Sequence, residues 1–213
     1  MKKLFIEAKS KADVKKAVEK AVKLLPKRVG VVTTAQHKHK LKEIKQILEK
    51  NKIKAEIGGQ ILGCDASAAK KIKDKVDGFL YVGSGRFHPI GVYLESKKKV
   101  VMANPLTDEA KELEQSEVDR ILKMQQGALA KFLTAENIGI LVSLKPGQNR
   151  LKQAIKLKEN FKNKKTYIFI ADTIDLNELE NFPFIESWVN TACPRISDKT
   201  LIVNYDQVKK YVR

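Results

Sequence analysis

Residues 29–57, VGVVTTAQHKHKLKEIKQILEKNKIKAEI, predict a strand, a helix and a second strand in that order. Residues 29–32 are a short apolar run, typical of a buried strand, and polar residues follow them. The helix spans 38–50, where four apolar side chains share one face: Leu41, Ile44, Ile47 and Leu48. Residues 53–57 supply the second strand. This succession favours a parallel sheet that is covered by helices.

The same alternation extends in both directions along the chain. Further helices are predicted at 11–25, 66–76, 108–133, 149–161 and 177–179, and further strands at 78–82, 92–94, 100–102, 138–143, 166–170 and 185–189. These elements form two units, 1–106 and 107–213, which look like a diverged repeat. The matching segments are Gly30-Val31-Val32-Thr33 with Gly139-Ile140-Leu141-Val142, and 78–83 with 186–191. The predicted fold class is α/β, with two parallel-sheet domains.

The composition narrows the possible partners and locations. The 213 residues carry a net charge of +17, which points first to nucleic acid or to an acidic protein. The lysines are scattered over almost every predicted helix, and aromatic residues are not interleaved with them, so nucleic-acid binding is the weaker interpretation. No run of 18 apolar residues occurs, and the stretch Leu4-Phe5-Ile6 is too short for a secretory signal. A cytoplasmic location is expected.

Five polar motifs stand where predicted strands end. They are TTAQH (33–37), GQILGC (59–64), GSGRFHP (83–89), KPGQNR (145–150) and NTACPR (190–195). In parallel α/β sheets, ligands bind in the loops at the carboxyl ends of the strands. The motifs therefore predict a functional site at these ends.

The two cysteines, Cys64 and Cys193, lie in two of these loops. Two small core thiols are the simpler interpretation, because unpaired cysteine is often buried. Glycines beside Cys64, and Pro194 and Arg195 beside Cys193, favour thiolates that bind a metal instead. No close C-x₂₋₄-C pair exists, so the pattern is not that of zinc. Cysteines from separate loops can still converge on one iron–sulfur cluster.

The other loops allow two interpretations each. The 83–89 loop is either a tight turn with a surface histidine or a cradle for a small molecule, in which His88 donates a hydrogen bond. It lacks the G-x-x-x-x-G-K-[ST] pattern of a phosphate-binding loop. The 145–150 loop opens onto a helix N-terminus, which suits a carboxylate or another anion. Its simpler interpretation is a helix start that Asn149 caps.

The strings GQILGC, YVGSGRFHPIGV, KPGQ-x-R and WVNTACPRI, in this order, resemble the archaeal diphthamide synthase family, the 2-(3-amino-3-carboxypropyl)histidine synthases. TTAQH resembles that family's second repeat. The resemblance covers about residues 27–200 and implies Rossmann-like domains. Family members carry three such domains, and each gives one cysteine to a four-iron, four-sulfur cluster. The two units here would be the second and third domains.

The resemblance also implies a reaction and its partners. The reduced cluster breaks the sulfur–Cγ bond of S-adenosylmethionine, and the 3-amino-3-carboxypropyl radical adds to a histidine of translation elongation factor 2. The C-x₃-C-x₂-C run of other radical S-adenosylmethionine enzymes is absent from the sequence. Cys64 and Cys193 are the expected metal ligands, and five residues are the candidates for holding S-adenosylmethionine: Ser84, His88, Gln148, Arg150 and Arg195. No catalytic residue is assigned beyond these.

The family's first domain and its cysteine have no counterpart in these 213 residues. We therefore expect the chain to work with a separately encoded first domain or as a homo-oligomer, and with a reducing electron donor. Apolar surface left uncovered beside the cysteine loops would fit that expectation. Two alternatives stay open. One is a non-catalytic partner subunit of the synthase, and the other is a basic RNA- or ribosome-binding protein on the same fold.

Overall fold

The computed structural model describes residues 8–63, 65–198 and 201–211. The chain divides into two compact units, one that ends at Gln115 and one that begins at Ser116. Cys64, one of the two predicted metal ligands, lies outside the described residues. Within the described part of the chain, no helix is both long and apolar enough to cross a membrane.

The first unit is built on a five-stranded sheet in the order β2-β1-β3-β4-β5. Its strands are β1 (Arg28–Thr33), β2 (Lys54–Gln60), β3 (Gly78–Val82), β4 (Lys99–Asn104) and β5 (Glu109–Glu112). The first four run parallel, and β5 pairs antiparallel with β4. The α-helices are α1 (Lys15–Val22), α2 (Leu41–Lys50), α3 (Ser67–Lys70) and α4 (Phe87–Ser96), with short 3₁₀ helices at Ala35–Lys40 and Lys73–Lys75.

Both faces of this sheet are buried, because alternate residues of each strand point to opposite sides. One core joins the sheet to α1 and α2, and its strand members include Val29, Val31 and Leu80. The other core joins the sheet to α3 and α4, with Val32 and Phe79 among its members. A sheet covered on both sides is what continuous apolar strands such as β3 require.

The second unit has a four-stranded parallel sheet in the order β7-β6-β8-β9. Its strands are β6 (Asn137–Ser143), β7 (Lys165–Ala171), β8 (Ser187–Asn190) and β9 (Ile202–Asn204). The α-helices are α5 (Gln115–Thr134), α6 (Leu151–Asn160) and α7 (Tyr205–Val208), with 3₁₀ helices at Asn177–Asn181, Pro194–Asp198 and Lys209–Tyr211. Helices α5 and α6 cover one face, and the other buries Trp188 against Phe169 of β7 and against Phe182.

The four parallel strands of each unit follow one another in the same spatial order, as a repeat requires. The two glycines that the sequence matched also have the same structural role. Gly30 pairs with Phe79 on the neighbouring strand, and Gly139 pairs with Trp188. A Cβ atom would lie 2.6 Å from the Phe79 ring and 2.3 Å from the Trp188 ring, so only glycine leaves room for the aromatic. This register aligns Gly78 with Ser187, so the predicted match of 78 with 186 is wrong by one residue.

Two predicted elements are wrong. Residues 92–94 lie inside α4 and form no strand, because Ile90 and Val92 contribute to a buried helix face with Pro89 in its first turn. The predicted helix at 108–133 begins only at Gln115, since β5 uses residues 109–112 to pair with β4. Residues 107–115 therefore belong to the first unit, and the chain divides after Gln115, whereas the predicted boundary lies at 106/107.

Candidate functional site

A cavity of about 440 Å³ opens at the carboxyl ends of β1, β2 and β3. Strand β1 lies between β2 and β3, so the chain first adds β2 on one side of β1 and then returns to add β3 on the other side. This is the switch point at which α/β sheets bind ligands. Three of the predicted motifs line the cavity: 34–37 of TTAQH, 60–63 of the cysteine loop, and Ser84 with His88.

Ser84 and His88 are held in place by a tyrosine that the sequence analysis did not single out. The hydroxyl of Tyr81 donates to the Ser84 carbonyl oxygen at 3.1 Å and lies 3.4 Å from His88 Nδ1. The two rings stack with centroids 5.9 Å apart. Burial raises the pKa of Tyr81 to about 12, so its hydroxyl stays protonated at neutral pH. The 83–89 segment is therefore an ordered wall of the cavity, and its second half is the start of α4.

His37 is a second residue of this cavity that the sequence analysis did not assign. Its side chain is 5% exposed, and its Nδ1 atom has no hydrogen-bond partner among the described residues. Burial lowers the pKa of His37, and the nearby positive charges of His39 and Lys40 lower it further. The ring is therefore neutral at physiological pH. A buried nitrogen left without any partner costs about 1–3 kcal/mol, so a water molecule or a ligand is expected to bind this atom.

The loop that leads to position 64 contains two glycines with positive φ angles. Gly59 and Gly63 have φ angles of +109° and +54°, and a Cβ atom on either would meet nothing within 4 Å. The space beside them is open, and only glycine adopts these angles without strain. Position 64 follows directly, but Cys64 itself lies outside the described residues.

In the second unit, the half-buried Cys193 lies in a loop that two asparagines hold. The amide nitrogen of Asn190 donates to the Cys193 carbonyl oxygen and to the amide oxygen of Asn204, both at 2.8 Å. The amide oxygen of Asn190 accepts the N–H of Ala192 at 2.9 Å, and Asn204 donates to the Pro194 carbonyl oxygen at 2.9 Å. We call Asn190 and Asn204 the asparagine clamp. Asn190 is 2% exposed, so these bonds are shielded from water.

The remaining predicted ligand-binding residues follow the same strand ends. Gln148 and Arg150 follow β6, and Arg195 follows β8, and all three are half-buried. Because β6 and β8 are parallel neighbours, these loops lie together at the carboxyl end of the second sheet. The amide oxygen of Asn149 accepts the Leu151 N–H at 3.2 Å, but the N-cap residue of α6 is Arg150, so Asn149 contacts the helix start without being its N-cap.

The residues 8–63, 65–198 and 201–211 contain no group of three or more histidine, cysteine or acidic side chains that could hold a metal ion. Cys193 is the only cysteine among them. Because Cys64 lies outside the described residues, the metal-ligand role of Cys64 and Cys193 stays a prediction.

These features define a tandem α/β protein with a cavity at the strand ends of its first unit and a constrained cysteine loop in its second. Comparison with known proteins names the family. Residues 1–204 match the family described as "Putative diphthamide synthesis protein". The chain belongs to this diphthamide synthesis family, as the resemblance of its motifs predicted.

Similar proteins agree with this assignment. The chain is 33% identical to the 2-(3-amino-3-carboxypropyl)histidine synthase of Pyrococcus horikoshii, over 91% of this chain and 58% of that protein. It is 24% identical to subunit 1 of the synthase of Encephalitozoon cuniculi, over 91% and 57%. The crystal structure of Pyrococcus horikoshii Dph2 with a 4Fe-4S cluster superposes with a TM-score of 0.80 and 29% identity, over 96% and 63%. The chain thus spans less than two thirds of each relative, and the superposition confirms the predicted α/β fold.

Proposed function

We propose that this chain is an iron–sulfur enzyme, or a subunit of one, that acts in the first step of diphthamide synthesis. Its substrates would be S-adenosylmethionine and a histidine of translation elongation factor 2. Family membership and the name of the Pyrococcus relative support the class of reaction. The observation that carries the proposal for this chain is the asparagine clamp, which fixes a cysteine loop at the carboxyl end of β8.

Cys193 and its loop fit the role of one thiolate ligand of an iron–sulfur cluster. Cys193 is half-buried in a loop at the carboxyl end of β8, and a cysteine thiolate is the iron ligand of such clusters. Its loop is held through main-chain atoms, because the carbonyl oxygens of Cys193 and Pro194 accept the two asparagine hydrogen bonds. We propose Cys64 as a second ligand, on the glycine-rich loop of the first unit. A third thiolate, as the family resemblance implies, would come from outside these 213 residues, which contain two cysteines.

The polar residues at the strand ends would bind the other substrate. Arg150 and Arg195 would pair with the carboxylate of S-adenosylmethionine, because a guanidinium can make two parallel hydrogen bonds to it. Gln148 would donate a further hydrogen bond. Ser84 and His88 would contact the ligand from the cavity wall that Tyr81 orders. When bound, a reduced four-iron, four-sulfur cluster would supply the electron that breaks the sulfur–Cγ bond.

We propose that the two units are the second and third domains of the family's three-domain arrangement. The chain would then work with the first domain, as a separate chain or within a homo-oligomer, and with a reducing electron donor. The name of the Encephalitozoon relative, subunit 1, supports an assembly of unlike subunits. The net charge of +17 would speed association with an acidic face of the elongation factor, and added salt should slow it. The cytoplasmic location stays a prediction.

The test is transfer to elongation factor 2 under anaerobic conditions, with reductant and S-adenosylmethionine, by the reconstituted chain alone and with a candidate first domain. Mass spectrometry would detect a 3-amino-3-carboxypropyl group on one histidine of the factor. Loss of this product in Cys193→Ala and Cys64→Ala, with the matched exposed variant Ser116→Ala still active, would support the proposal. Equal product from wild type and both cysteine variants would contradict it.

The subunit 1 name also favours the second candidate function, a partner subunit that supports catalysis elsewhere. Such a subunit would bind iron through the same cysteines but would not cleave S-adenosylmethionine by itself. Release of 5′-methylthioadenosine by the chain separates the two, because only the enzyme produces it. A protein that stays colourless after incubation with iron and sulfide would instead favour the RNA- or ribosome-binding alternative.

A further inference from the structure

Among the edge strands of the described sheets, β7 is the one without the usual protection against pairing with another chain. Natural edge strands are often short, charged or bulged. Strand β9 has three residues, β5 carries three charges in its four residues, and β2 has a register shift against β1. Strand β7 has seven residues in an even register with β6, and Lys165 is its one charged residue. On its outer side, which we call the β7 edge, none of the described strands pairs with it.

Apolar side chains lie uncovered at the β7 edge. Ile170 is 51% exposed. Tyr167 points to the opposite face of the strand, where its exposed ring packs edge to face against the exposed ring of Phe184. An open strand edge with apolar side chains on both faces is a template for a further strand, so we expect a partner to cover it.

The backbone groups of β7 alternate in the way that a further strand requires. The N–H of Lys165 and the carbonyl oxygen of Ala171 both bond inward, to the residues that flank β6. In a strand, the N–H and C=O of one residue point to the same side, and those of the next residue point to the other. The backbone groups of Thr166, Ile168 and Ile170 therefore point outward, away from β6.

We infer that β7 pairs antiparallel with β7 of a second copy of this chain. With a two-fold axis at Ile168, this residue lies opposite itself and Thr166 lies opposite Ile170, so all three outward-pointing residues find backbone partners. Tyr167 then lies opposite Phe169, which is a favourable aromatic cross-strand pair. The pairing joins the two second-unit sheets into one and covers the exposed Ile170.

The charges at the two ends of β7 favour a second copy as the partner. The strand begins in a basic stretch, 162–165, which contains three lysines, and it is followed by Asp172 and Asp175. Antiparallel pairing of identical strands brings the basic end of each copy beside the acidic end of the other, and the two-fold axis makes this contact twice. Charge complementarity of this kind selects the partner and its orientation.

Sedimentation equilibrium of the metal-free full chain in reductant measures the dissociation constant of the dimer. Wild type should be dimeric. Ile170→Lys should raise the dissociation constant at least about tenfold, because the axis places the added charge at two points of the pairing. The matched control is Leu201→Lys, at a residue that is 50% exposed beside β9 on the opposite edge of the same sheet, and it should associate like wild type.

Charge reversal tests the identity of the partner, and both residues changed are exposed, so the thermal midpoint should stay unchanged. Asp172→Lys should weaken the dimer, and adding Lys165→Asp to the same chain should restore it, since each strand end again meets its opposite. A monomeric wild type, a dimer that survives Ile170→Lys, or a separate first domain that binds the β7 edge instead would overturn the inference. A monomer that transfers the 3-amino-3-carboxypropyl group would refute this pairing alone, whereas a dimer without iron would refute the proposed function alone.

Discussion

Replacing Asn190 tests whether the clamp holds the Cys193 loop. The Asn190 side chain makes three hydrogen bonds, to the Cys193 carbonyl, to Asn204 and from Ala192. Each buried hydrogen bond contributes about 1 kcal/mol net, so Asn190→Ala should destabilise the second unit by about 3 kcal/mol. Asn190→Asp should cost at least as much, because its carboxylate can keep only the bond from Ala192 and would face two oxygen acceptors.

The assay is alkylation of Cys193 by iodoacetamide in metal-free protein, followed by mass spectrometry of the peptide that contains it. Freeing the loop lowers the free energy of local opening, so the alkylation rate should rise by about tenfold to a hundredfold. Asn163→Ala, at an exposed asparagine of the same unit, is the control and should leave the rate unchanged. An unchanged rate in both Asn190 variants would refute the clamp, since packing alone would then be holding the loop.

Two further predictions test the packing of the repeat and the burial of His37. Gly139→Ala would place a Cβ 2.3 Å from the Trp188 ring and should destabilise the second unit by about 1–3 kcal/mol. The control is Gly127→Ala in the interior of α5, where the Cβ would lie 3.4 Å from Leu201 and alanine should stabilise the helix. Equal urea midpoints of the two variants would contradict this prediction. Burial lowers the pKa of His37 in the folded state, so the unfolded chain binds more protons than the folded chain when the pH falls below the ordinary histidine value of about 6.5. The thermal midpoint should therefore fall as the pH drops through and below that value. His37→Gln should flatten that fall, and an unchanged slope would count against burial of the ring.

The strands and the placement of the motifs could be predicted because apolar runs and polar strand ends are local signals. Gly30 and Gly139 match across the repeat in sequence, and each pairs with an aromatic residue of the neighbouring strand. Short segments failed where local pattern is ambiguous. The triplet 92–94 is apolar and fits a strand as well as a buried helix face, and only its packing in α4 decides. Residues 109–112 pair with β4 through backbone atoms, which leave no mark on the side-chain pattern.

The candidate site was predicted as a set of loops but not as a set of contacts. Asn190 and Asn204 are 14 residues apart in sequence and meet because β9 pairs with β8, and β9 itself was not predicted. Tyr81 looked like one more residue of an apolar strand, and its hydroxyl contacts appear only once the strand and α4 are placed. The burial of His37 was equally hidden, because a histidine between lysines looks exposed in sequence.

Iron content after anaerobic reconstitution tests the central claim most directly. Wild type, Cys193→Ala, Cys64→Ala and the control Asn163→Ala would be incubated with iron and sulfide, desalted and assayed for iron per chain. The account predicts iron and the brown colour of a cluster in wild type and control, and a large loss of iron in each cysteine variant with folding preserved. Folded cysteine variants that keep the wild-type iron content, or a wild type that binds none even with a first domain present, would contradict it.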